Sequence, residues 1–219
     1  LPALDPIIAN ADVLLAGLAL TIALTLVAFV IGGVVGLGLA LAKLSSIWLI
    51  RAPAAGLISF LISTPVLVQV FWVYYALPIL TGVRFSAFEV LVVAIGLNHS
   101  AVMAETYRAG ILSIAPGQRD AAFVLGLSRV QTMRFVVLPQ AIRILLPPLA
   151  SNTINLVKDS SLAGFIGAND LLNAGRFVVT RGFFPVETYT FIAIAYFLLT
   201  YPIAVAGARL ERRLRRSLA

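Results

Sequence analysis

Lys158, Asp159, Ser160 and Ser161 stand together inside an otherwise apolar stretch, preceded by Asn152, Thr153 and Asn155. Ionisable groups at membrane depth are costly and mark solute pathways, ion sites or internal pairs. A carboxylate there can face an ammonium group, while neighbouring amides and hydroxyls hold the rest of a polar solute. Asn155, Asp159, Ser160 and Ser161 are therefore candidate substrate-binding residues, with an interhelical salt bridge through Asp159 as the structural alternative. Lys158 and Asp159 are sequential, so on a helix they point about 100° apart and each is expected to find its own partner.

Ser63-Thr64-Pro65 is the second polar feature at depth. Proline lacks a backbone donor and clashes with the preceding turn, so the helix carrying it should kink or unwind. In lipid the freed carbonyls survive only when covered by protein or facing a watery cavity, and such breaks accompany binding sites. Ser63 and Thr64 join the substrate candidates on that ground. Glu105 and Arg108, spaced i and i+3, read as a structural pair at a helix end. His99 is the single histidine and reads as an interior residue. The sequence holds no H-E-x-x-H zinc motif, no G-x-S-x-G nucleophile elbow and no G-x-x-x-x-G-K-[ST] phosphate cradle. No catalytic, metal or cofactor site is expected, and any ATP must be bound by another chain.

Residues 117–139 form a polar, arginine-bearing island that needs a partner outside the lipid. Pro116-Gly117 opens it, a short helical pattern runs over 119–125, and Gly126 can supply the left-handed turn that ends that helix. Ser128-x-x-Gln131 is a capping box, so a new helix starts there and is expected to end at Pro139.

These motifs sit in a chain of 219 residues, of which 61% are hydrophobic and 11% charged, with a mean hydropathy of +1.03. Soluble domains carry roughly half apolar and a quarter charged residues, so the composition indicates an integral membrane protein. Uncharged runs over 13–42 and 52–83 each exceed the roughly 20 residues needed to cross the hydrocarbon, and each is expected to be one long helix. Further apolar windows at 87–104, 141–166 and 188–208 make about five spans in a single all-α transmembrane domain covering 1–219. The first run is too long for the core of a cleavable signal and is expected to stay in the membrane. Gly32-x-x-x-Gly36 within it allows close approach by another helix.

Basic residues collect on the cytoplasmic side of membrane proteins. Lys43 and Arg51, then Arg108, Arg119, Arg129, Arg134 and Arg143, then Arg209, Arg212, Arg213, Arg215 and Arg216 fall on one side of a five-span topology. Only Arg84, Arg176 and Arg181 fall on the other. The N-terminus is thus expected outside and the C-terminus in the cytoplasm. The net charge of +7 is a topology and lipid-headgroup signal, with no nucleic-acid partner expected. Residues 167–184 read as an outward loop with short helical pieces that could meet a soluble delivery protein. The absence of cysteine excludes disulfides and thiolate metal sites.

Asp120-Ala121-Ala122, Gly126 four residues on and Leu138-Pro139 resemble the EAA loop of bacterial ABC importer permeases. Glu105-x-x-Arg108-Ala109-Gly110-Ile111, Leu138-Pro139-Gln140-Ala141-x-Arg143 and Leu156-Val157-Lys158-Asp159-Ser160-Ser161-Leu162 are similar to the importers of polar amino acids. Thr64-Pro65-Val66-Leu67-Val68-Gln69 and Tyr74-Tyr75-x-Leu77-Pro78 extend the match to nearly the whole chain. The chain departs from that pattern with Ile62-Ser63 in place of Arg-Gly, Asp120 in place of glutamate and Val102 in place of tyrosine.

The resemblance implies a permease subunit that is not itself an enzyme, in a bacterial cytoplasmic membrane, moving a polar amino acid by alternating access. The loop at about 116–140 would be the coupling helix, with Asp120, Ala121, Ala122, Gly126, Leu127, Ser128 and Arg129 meeting the ATPase. Two ATP-binding cassette subunits would hold ATP and Mg²⁺, and a second permease, identical or homologous, would complete the pathway. An extracytoplasmic binding protein would deliver the solute. A self-contained ion-coupled carrier or channel, and an ABC permease for another small solute such as methionine, are the competing readings.

Overall fold

Long uncharged runs form long helices, and proline decides where they bend. The computed structural model describes residues 5–182 and 184–216. Residues 1–4, 183 and 217–219 of the expected 1–219 domain, and the side chains of Arg215 and Arg216, lie outside the described residues. The helices are α1 (Asp5–Ala9), α2 (Ala11–Lys43), α3 (Trp48–Ser63), α4 (Val66–Thr81), α5 (Ala87–Leu112), α6 (Pro116–Val124), α7 (Arg129–Ile166), α8 (Leu171–Gly182) and α9 (Pro185–Arg216). Among the described residues there is no strand. Four helices are long and apolar enough to cross a membrane, and α3 with α4 makes a fifth span if the bent pair is one crossing. That agrees with the expected all-α polytopic fold of about five spans.

The second span is not the single long helix expected from its composition. Its two halves, α3 and α4, meet at 102°. Thr64 is extended there, with φ −102° and ψ 135°, because a residue before proline is pushed out of the helical region. The expected break is present, and protein groups cover its carbonyls. Gln69 Nε2 donates to the Leu61 carbonyl at 2.9 Å and to Thr64 Oγ1 at 2.6 Å, while Asn98 Nδ2 of α5 donates to the same Leu61 carbonyl at 2.7 Å.

Pro139 likewise does not end the helix that starts after Ser128. A π turn over Met133–Val137 precedes it, and α7 runs on through it. The same device sits in α4, where a π turn over Trp72–Ala76 precedes Leu77-Pro78. In each, the leucine N–H reaches back five residues, Leu77 to the Trp72 carbonyl and Leu138 to the Met133 carbonyl. The widened turn gives the proline ring space that an α-helical turn would deny it. The fourth span therefore begins earlier than residue 141.

The most extensive helix contact joins α2 to α5. A Cβ added at Gly32 would lie 2.6 Å from His99 Cδ2, and one at Gly36 would lie 2.6 Å from the Ser100 carbonyl oxygen. The expected small-residue packing thus has α5 as its partner, and His99 is interior, as its context suggested. Around this seam Leu24, Ala28, Leu91, Ile95, Val70, Leu156 and Ala163 form the main core.

Two substitutions test this architecture in detergent-solubilised protein. Gly36→Ala places a methyl against α5 backbone and should cost about 1–3 kcal/mol, read as a lower unfolding temperature; an unchanged temperature would contradict the packing. Gln69→Leu removes a donor shared by the break and should cost about 1–3 kcal/mol, with Gln69→Glu no better, because neither restores the amide N–H.

Candidate functional site

Three features carry chemistry: the loop between α5 and α7, the polar end of α7 with the break between α3 and α4, and an ion cluster joining helix ends.

The loop is built as two capped helices. Pro116 occupies the first turn of α6, where a missing N–H costs nothing. At the other end Gly126 is left-handed at φ 79°, the Leu127 N–H reaches the Ala122 carbonyl at 3.1 Å and the Gly126 N–H reaches the Phe123 carbonyl at 2.9 Å. Those two bonds make a Schellman cap, which satisfies carbonyls that the helix end leaves open. Ser128 then starts α7 with the expected capping box: its Oγ accepts from the Gln131 N–H at 3.3 Å, and its own N–H donates to Gln131 Oε1 at 2.8 Å. Arg119 ties the loop to the span before it, donating to the Ile111 carbonyl at 2.8 Å.

Asp120, Ala121, Gly126, Ser128 and Arg129 are exposed, Leu127 is half-buried, and Ala122 is buried against the chain's own helices. The two alanines therefore sit on different faces, one toward the surface and one toward the bundle. More telling are apolar side chains: Val124, Leu125 and Val130 are 88%, 80% and 76% exposed. At the turn between the short helix α6 and the first turn of α7, such a patch marks a protein contact. The sequence signal for the patch is apolar residues interrupting a polar island.

At the polar end of α7, Asn155 is exposed and Asp159 half-buried. Neither the Asp159 nor the Lys158 side chain has a hydrogen bond or ion pair among the described residues, so the separate partners expected for them are not found there. The serines turn back on their own helix, Ser160 Oγ donating to the Val157 carbonyl and Ser161 Oγ to the Lys158 carbonyl, each at 2.7 Å. Ser63 is exposed and Thr64 half-buried at the break, where Thr64 Oγ1 donates to the Phe60 carbonyl at 2.8 Å. No hydrogen bond joins Ser63 or Thr64 to the α7 group among the described residues. The two regions meet through apolar packing, with Val70 beside Leu156 and Ala163 in one cluster and the Phe71 and Phe165 rings edge-on at 6.4 Å. A cavity of about 300 Å³ lies beside the break, walled by Phe60, Leu61, Thr64, Gln69, Trp72 and Leu97 among others.

Glu105 is the centre of the ion cluster. Its Oε2 binds Arg108 at 2.8 Å, the expected pair, and its Oε1 binds Lys43 at the end of α2, which periodicity along one helix could not reveal. A second polar group was also missed. Asp170 is fully buried, its oxygens accepting from the Leu172 and Asn173 N–H groups, each at 3.1 Å, and from the Tyr196 hydroxyl at 3.4 Å. Burial pushes its carboxyl above the usual range, and these donors act against that shift. Asn169-Asp170 ahead of an apolar helical pattern is an N-cap signal that could have found it. The Leu171 N–H donates to Thr21 Oγ1 at 3.1 Å, tying α8 to α2. Residues 167–182 are thus a turn leading into one helix docked on the bundle.

Residues 32–216 match the family of binding-protein-dependent transport system inner membrane components. The chain is 39% identical over 197 residues to the probable amino-acid ABC transporter permease protein YckA of Bacillus subtilis, covering 90% of this chain and 87% of that protein. It is 35% identical over 203 residues to the glutamine transport system permease protein GlnP of Escherichia coli, covering 92% and 93%. A crystal structure of an amino acid ABC transporter with histidines superposes with a TM-score of 0.89 at 35% identity, covering 94% of this chain and 96% of that one. The MetNI methionine ABC transporter shares the fold, with a TM-score of 0.77 at 21% identity over 92% and 96% of the two chains. With its bent second span, its capped loop between spans and its match over nearly all its length, the chain belongs to the binding-protein-dependent transport system inner membrane components, a family of multi-pass permease subunits.

Proposed function

We propose that this chain is the permease subunit of an ATP-driven importer that carries a polar amino acid across a bacterial cytoplasmic membrane by alternating access. The carrying observation is the exposed apolar patch of Val124, Leu125 and Val130 on a loop held rigidly by two caps. A channel or ion-coupled carrier acting alone has no use for such a patch. An ATPase subunit supplies both the partner and the ATP and Mg²⁺ site, and two such subunits would grip the loops of two permeases, identical or homologous. Asp120, Ala121, Leu127, Ser128 and Arg129 surround the contact, Gly126 sets its turn, and Ala122 anchors it to the bundle.

The amino-acid reading is supported by the named substrates of the relatives and by the half-buried, unpaired Asp159 carboxylate. In this reading Asp159 faces the substrate ammonium, with Asn155, Ser160, Ser161, Ser63 and Thr64 along the path. The serine oxygens keep lone pairs free to accept after donating to their own helix. A binding protein delivers the solute on the outer face, where the N-terminus and the 167–182 segment lie. The loop and the C-terminus lie in the cytoplasm.

Leu125→Glu, on a side chain that packs on nothing here, should leave the permease folded and membrane-inserted while weakening ATPase association about tenfold or more. Copurification and transport-coupled hydrolysis read this directly, and unaltered coupling would remove the loop from the role. Asp159→Asn keeps the shape and removes the charge. Uptake stimulated by the loaded binding protein should fall at least about tenfold, and wild-type rate and affinity would exclude Asp159 as the ammonium partner.

A further inference from the structure

A pocket of about 400 Å³ opens where the ends of α2, α3 and α5 meet, at the same end of the bundle as the 113–128 loop. Its wall includes Lys43, Ser45, Trp48, Arg51 and Arg108. Three cations stand there against one carboxylate: Lys43 and Arg108 both pair with Glu105, and the Arg51 side chain has no partner among the described residues. The loop that shapes the opening is itself ordered: the Ile47 N–H donates to Ser45 Oγ at 3.1 Å. Immediately beside the cations, Ile47, Trp48 and Leu49 are 54%, 65% and 75% exposed. Cationic groups in a cleft between span ends, rimmed by aromatic and aliphatic side chains, match a molecule with an anionic head and apolar tails.

We propose that this pocket binds the phosphate headgroup of an anionic phospholipid, with Arg51 as the principal contact and Lys43 and Arg108 adding positive potential. Trp48 packs against the glycerol and upper acyl region, and Leu49 lies along the tails. A free phosphate ester would meet the same cations and leave the apolar rim uncovered. An acidic surface on a protein partner would meet the cations as well, and the exposed apolar rim at the level of the span ends favours the lipid.

The test is native mass spectrometry of the full chain, purified in mild detergent with whatever partners accompany it and titrated with phosphatidylglycerol, phosphatidylcholine or glycerol 3-phosphate. Phosphatidylglycerol should be retained about fivefold or more over phosphatidylcholine, and glycerol 3-phosphate should neither bind nor compete. Arg51→Gln should lower phosphatidylglycerol retention about fivefold. Trp48→Ala should lower retention of the lipid, and Arg84→Gln, a charge removed elsewhere, should not. Equal retention of the two lipids, binding of glycerol 3-phosphate alone, or loss of a protein partner from Arg51→Gln with lipid retention intact would each overturn the proposal.

Discussion

In hydrocarbon no water is present to satisfy a backbone N–H or C=O, and the irregularities of this chain follow from that constraint. A proline at depth leaves a carbonyl without its usual donor, and at Pro65 that carbonyl is answered within the protein. At Pro65 the answer is side chains, Gln69 and Asn98, which reach the Leu61 carbonyl from two directions. At Pro78 and Pro139 a π turn precedes the ring, and the leucine N–H before it reaches back five residues, which makes room for the proline. Several hydroxyls are satisfied in the same local way, with Thr25, Thr106, Thr153, Ser160 and Thr200 donating to carbonyls of their own helices.

Because the backbone is satisfied locally, helix association is left to packing and to a few polar pins. The α2–α5 seam needs glycine at 32 and 36, since a side chain at either would meet a ring or a carbonyl on the facing helix. Lys43 with Glu105 pins one end of that seam. At the other, Thr21 holds the start of α8 and Asp170 caps it. Asn152 to Thr106, at 2.9 Å, adds a cross-link between α7 and α5. Such pins have directional geometry, so they fix register where apolar contacts alone would allow sliding.

The parts legible in the sequence were those governed by local rules. Span number followed from run length, the Ser128–Gln131 box from residue type at fixed spacing, the break from Thr64-Pro65, and the glycine seam from its i, i+4 repeat. What could not be read depends on groups far apart in the chain. Lys43 and Glu105 are 62 residues apart, and nothing in either neighbourhood names the other. The 102° bend at Pro65 exposes a Leu61 carbonyl that Asn98 covers from 37 residues further along the chain. The readings that failed were local rules applied without such context, as with Pro139, taken for a helix end until the π turn ahead of it is seen. The substrate candidates were drawn as one group, and the structure divides them between two regions joined by apolar packing.

That division gives α5 a particular place. Its end holds Arg119 through the Ile111 carbonyl, so the loop cannot tilt without pulling on α5. Nearly two turns earlier Glu105 grips α2, and further along Asn98 holds the Leu61 carbonyl at the break. Its middle packs on α2 through Gly36 with no slack, because the Ser100 carbonyl occupies the space of an absent Cβ. A close-packed seam of this kind transmits displacement instead of absorbing it. Under the proposed coupling role, a push on Val124 and Leu125 would be carried along α5 toward the bent span and its cavity. That path ends at Thr64-Pro65, where the backbone is already extended and is held by side-chain donors, so a change of angle there would break no helical turn.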